Sequence, residues 1–94
     1  MATLIGENGT QQTVMPKNGR VFTLEELYQH TGCDYVETIT VPGVGILVVD
    51  ENGKAKARPG NLVATELAWH RLRPNDYIVG PALVCTPAEM GVEV

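Results

Sequence analysis

The residues best suited to chemistry fall in one short segment. Lys54, Lys56 and Arg58 alternate with Ala55 and Ala57, and Pro59-Gly60-Asn61 follows. On an extended chain, every second side chain shares a face, so the three cations are expected to point the same way. Asn61 is a residue type that opens a helix by accepting from a backbone N–H, and the remaining free N–H groups there attract anions. Thr65 follows one turn later. The chemistry implied is recognition of a phosphate or carboxylate, without a bond being made or broken. The same cations have a second physical reading, because lysines on a short edge strand block edge-to-edge association.

Two further groups stand out. Along Tyr35, Glu37, Ile39 and Val41, Glu37 is the acid on an otherwise apolar face. If that face is the core, Glu37 needs a partner; if the face of Val36, Thr38 and Thr40 is the core, it is exposed. Arg71 and Arg73 follow Trp69-His70, and Trp and Arg are favoured interface anchors. The competing reading is a buried Trp69 with solvated arginines.

Motifs for catalysis are missing. The chain has no P-loop, GxGxxG, HExxH, CxxC or GxSxG pattern, and it contains no serine. His30 and His70 are widely separated, and both fit helix ends. Cys33 and Cys85 lack zinc-ligand spacing and are expected to be small buried hydrophobes. A Cys–His nucleophile pair has no support from spacing. The residues therefore name no catalytic set, metal site or cofactor.

These residues must be positioned by short elements. Thr3–Ile5 and Gln11–Val14 form expected strands, joined at Glu7-Asn8-Gly9. A helix is expected over Leu24–Thr31: Thr23 and Glu26 make a capping box, Phe22 and Leu27 a staple, and Gly32 a left-handed stop. Leu24, Leu27 and Tyr28 are placed on its inner face. Tyr35–Val41 is a strand ended by Pro42-Gly43. Val44–Asp50 is almost continuously apolar, as in a central strand covered on both faces or nearly so. Lys54–Arg58 is a short extended piece. A second helix runs over Leu62–His70, with Leu62, Leu67 and Trp69 as its apolar positions. Asp76–Cys85 is the last strand, bent or at an edge near Gly80-Pro81. Residues 87–94 are expected to fray. The fold class is α+β: a mainly antiparallel sheet of about five to six short strands with two helices packed on one face.

At 94 residues the chain makes one domain spanning 1–94. Net charge is −4, against non-specific binding to nucleic acid or membrane. No run approaches the ~18 apolar residues of a transmembrane helix. With no secretory pattern and two isolated cysteines, a cytoplasmic setting with reduced thiols is expected.

Four stretches resemble a known family. They are Pro16 to Leu27, Gly45 to Lys54, Pro59 to Ala68, and Asp76 to Cys85. In this order they resemble domain of unknown function 3846 (DUF3846), small proteins common in phages and other mobile elements, over about residues 14–86. The family's PxN segment maps onto Pro59 and Asn61, and its AT pair onto Ala64 and Thr65. Gly32-Cys33-Asp34-Tyr35 departs from the shorter link of the family. The resemblance implies an accessory protein made in the cytoplasm of a bacterial host cell, and supplies no catalytic residues.

Three functions follow as expectations. The first is a non-enzymatic binder, in concrete form an anti-defence sponge that sequesters a small anionic, nucleotide-derived signal. Lys54, Lys56, Arg58, Asn61, Thr65 and Glu37 would be its site, built between subunits of a homo-oligomer. The second is a protein–protein inhibitor or modulator of a host factor, docking through Trp69, Arg71 and Arg73. The third is a nucleotide-cleaving enzyme, for which Glu37, His70 and Arg58 are the available parts.

Overall fold

The computed structural model describes residues 1–91. Among these, five strands form one antiparallel sheet: β1 Ala2–Ile5, β2 Gln11–Val14, β3 Val36–Val41, β4 Gly45–Asp50 and β5 Ala82–Cys85. Their order is β2-β1-β5-β4-β3. Helix α1 spans Leu24–Thr31, and α2 spans Leu62–Leu67. The α+β class and antiparallel sheet agree with expectation.

Sequence logic explains the start of α1. Thr23 Oγ1 accepts from Glu26 N, and Glu26 Oε1 accepts from Thr23 N at 3.0 Å. Gly32 closes the helix at φ 68°, a conformation that costs a glycine little. Phe22 and Leu27 pack in one cluster, as the staple requires. The inner face differs from expectation: Leu24 is exposed, while Glu26, Leu27 and Thr31 are buried. Glu26 turns inward because it also accepts from Lys17 N at 3.0 Å.

The helices cover opposite faces of the sheet, which corrects the single-face arrangement. Phe22 and Leu27 pack with Ala2, Val48, Leu83 and Cys85. Ala64 and Ala68 pack with Val41, Leu47, Val49, Ile78 and Ala82. The alternation of β4 dictates this: Leu47 and Val49 face one way and Val48 the other, and all are buried. A strand apolar on both faces needs a cover on each.

The second half of the chain departs further from expectation. α2 stops at Leu67, and a 3-10 turn carries Trp69–Arg71. Its buried residues are the small ones, Ala64, Thr65 and Ala68, whereas Leu62, Leu67 and Trp69 are exposed. Small side chains let so short a helix lie close to the sheet. The last strand begins at Ala82, with Gly60 and Val79 forming an isolated bridge before it. Residues 88–90 form a 3-10 turn that buries Glu89, where fraying was expected. Phe22 N donates to Glu89 O at 2.8 Å and ties that turn down. The rest of the expected frayed tail, 92–94, lies outside the described residues.

Candidate functional site

Residues 51–57 form a series of turns, where an extended piece over Lys54–Arg58 was expected. Arg58 N donates to Gly53 O and Ala57 N to Lys54 O, both at 3.0 Å, and Ala57 has φ 55°. This is the nested pair of bonds around a left-handed residue that ends helices. Lys54, Lys56 and Arg58 therefore do not share an extended face.

Each of the three cations has a partner within the chain. Lys54 pairs with Asp76 and lies 4.6 Å from the centroid of the Tyr77 ring. The Lys54 hydrogen bond, then the Tyr77 N–H, holds the Asp76 carboxyl below its ordinary range. Lys56 Nζ lies 3.1 Å from Asp50 Oδ2, and Arg58 Nε lies 3.5 Å from the same oxygen. The Asp50 side chain is fully buried, so this is where the charge is needed. Arg58 also donates from its terminal nitrogens to Thr31 O at 2.7 Å and Gly32 O at 2.9 Å. It thus completes the C-terminal end of α1, where unsatisfied carbonyls favour a cation.

Asn61 and Thr65 form a buried polar knot. Asn61 Nδ2 donates to Ile5 O at 3.0 Å and Gly80 O at 2.9 Å, while its Oδ1 accepts from Ala64 N at 3.1 Å. Asn61 N donates to Ile78 O, and Gly80 N to Pro59 O. Thr65 Oγ1 donates to Asn61 O and accepts from Ile78 N. One side chain thereby joins β1, the start of α2 and the approach to β5. The Pro-Gly-Asn segment, read from sequence as an anion site, holds the architecture together through these bonds.

The other predicted residues come together elsewhere. Glu37 is exposed on β3 even though Ile39 and Val41 of the same face pack in the core, because α2 does not extend over its end of the strand. It lines an open groove of about 730 Å3 with Thr38, Ile39, Thr40, Arg71, Arg73 and Asp76. None of the ion pairs among the described residues involves Arg71 or Arg73. Arg58 is on a different errand, so the trio Glu37, His70 and Arg58 is not assembled into a catalytic arrangement.

Trp69 is 63% exposed, against the reading that buries it. Leu62, the first residue of α2, is 70% exposed. Leu62 and Tyr77 line a shallow apolar pocket of about 270 Å3 with Gly60, Asn61, Thr65 and Ile78. An exposed tryptophan close in sequence to arginines that make no ion pair among the described residues has the composition of an interface core. Leu62 and Tyr77 were missed as site residues. The available signal was the Ala64/Ala68 pair, which fits the closely packed side of α2 and leaves the larger residues outside.

The cysteines contribute to packing. Cys33 Sγ lies 2.7 Å from Thr31 Oγ1, and both are buried. Burial, with the Glu89 charge, pushes the Cys85 thiol up to about 12. His30 meets Phe22 edge-on at 6.0 Å. Among the described residues, no group of three His, Cys, Asp or Glu side chains is placed to hold a metal ion, and no helix is long and apolar enough to cross a membrane.

Comparison with known proteins gives one match. The family model described as "Domain of unknown function (DUF3846)" matches residues 1–93. No curated protein and no solved structure matches the chain.

Proposed function

The chain belongs to the DUF3846 family, and from that premise we propose that it is a non-catalytic binding protein that docks a protein partner through the surface around Trp69. The observation that carries this reading is the exposure of Trp69, two residues before Arg71 and four before Arg73, which have no ion-pair partner among the described residues. A tryptophan loses more water-exposed apolar area on docking than any other side chain, and Trp and Arg dominate binding hot spots. The partner surface that fits is an apolar cleft rimmed by carboxylates. The setting proposed is the cytoplasm of a bacterial cell carrying a phage or mobile element, with a host factor as the protein modulated.

The sponge reading rested on a basic face beside a helix N-terminus. Lys54, Lys56 and Arg58 are engaged by Asp76, Asp50 and the end of α1, and Asn61 is 1% exposed. Support therefore moves from the small anion to the protein partner.

The test is photo-crosslinking in bacterial cells from a benzophenone amino acid placed at Trp69, compared with the same group at Glu25 on α1. The proposal predicts one discrete crosslinked protein from position 69 that position 25 does not yield. The same products from both positions, or none from 69, would contradict it.

A further inference from the structure

We infer that β3 is a self-pairing edge, through which two copies of this chain join their sheets about a two-fold axis at Thr38. β3 is the last strand of the sheet, and its register with β4 runs without a bulge from Val36 to Val41. It contains no lysine and no proline, and five of its six residues are β-branched: Val36, Thr38, Ile39, Thr40 and Val41. Natural edges are normally protected by lysine or other charges, proline, bulges or a cover; of these β3 carries a single charged side chain, Glu37.

The backbone sets the register of such a pair. Glu51 N donates to Tyr35 O at 3.1 Å, so Tyr35, Glu37, Ile39 and Val41 are the positions that exchange bonds with β4. The N–H and C=O groups of Val36, Thr38 and Thr40 then face outward. These three are symmetric about Thr38. An antiparallel copy centred there pairs Thr38 with Thr38, and Val36 with Thr40 of the second copy, leaving no outward group of the three unpaired.

Side chains favour a second copy over an unrelated strand. The register sets Glu37 across from Ile39 of the second copy. Ile39 shares its groove with Arg71 and Arg73, so each acid approaches the other copy's two arginines, which make no ion pair among the described residues. It also sets Tyr35, 62% exposed, across from Val41 of the second copy, an aromatic and β-branched pair. A two-fold of this kind preserves the faces of the sheet, so both Trp69 surfaces lie on the same side. The inference does not depend on what Trp69 binds.

Sedimentation velocity tests it with the full chain. The wild type is expected as a dimer of the 10.2 kDa chain. Thr38→Lys sets two ammonium groups opposite each other, and is expected to weaken association by at least about tenfold. Thr38→Pro removes an outward N–H that β4 does not use, and is expected to give a folded monomer. Glu37→Arg is expected to weaken the dimer, and its combination with Arg71→Glu and Arg73→Glu to restore it. A wild type that remains monomeric at the highest attainable concentration, or a folded Thr38→Lys variant that dimerises as the wild type does, would overturn the inference.

Discussion

Arg58 Nε lies 3.5 Å from the buried Asp50 Oδ2 while the same guanidinium donates to two carbonyls at the end of α1. One side chain thus neutralises a buried acid and caps a helix on the same face of the sheet. Arg58→Met should lower unfolding free energy by about 2–3 kcal/mol, because Lys56 still reaches Asp50 but the carbonyls lose their donors. Urea unfolding measures this. An unchanged midpoint would mean that the arginine is free for a ligand.

Asn61→Ala should be more damaging. It removes both donors to Ile5 O and Gly80 O and the cap on α2. Two buried carbonyls left unsatisfied and a lost cap together cost about 3–5 kcal/mol. The measurement is again urea unfolding, with a loss below about 1 kcal/mol as the result against it.

The first half of the chain was legible because its signals are local. Thr23, Glu26 and Gly32 specify α1 within a few residues, and Val36 to Asp50 is rich in β-branched residues around the Pro42-Gly43 turn. The segment after Asp50 was misread because its partners are distant in sequence. Arg58 is held by residues twenty-six and twenty-seven positions away, and Asn61 by one fifty-six away. Spacing reveals that three cations alternate, but not that a buried aspartate has already claimed two of them. The opposite placement of the helices was recoverable: a β4 strand apolar on both sides is incompatible with helices on one side only. The exposure of Trp69 ran against the general expectation that large apolar residues turn inward, which here gave way to Ala64 and Ala68.

Ala57 offers a stabilising substitution. It holds φ 55°, where a Cβ is unfavourable, within the turn that presents Arg58. Ala57→Gly should raise stability by about 1 kcal/mol, seen as a higher urea midpoint. A decrease would indicate that chain entropy outweighs the relief of the left-handed conformation.

Acid should weaken the fold through Glu26. The Thr23 N–H, then the Lys17 N–H, hold its carboxyl below the ordinary 4.5. A lowered folded-state value means the contribution is complete above the unfolded value and is lost as pH falls through the folded one. Asp76 acts in the same direction. Glu89 does too: burial raises it, but the Thr86 N–H and hydroxyl and the Met1 amine outweigh that and hold it low. Glu26→Gln should therefore flatten the fall in melting temperature below pH 4.5, at some cost to stability at neutral pH. An unaltered acid profile would exclude Glu26 as a contributor.

The most direct test of the Trp69 surface is calorimetric titration of the crosslinked partner, once purified, against the wild type and Trp69→Ala. The substitution should weaken binding by at least about 2 kcal/mol, or roughly thirtyfold. The variant should unfold within about 0.5 kcal/mol of the wild type, since it trims an exposed side chain. Undiminished affinity in a folded Trp69→Ala protein would contradict the assignment of this surface as the docking site.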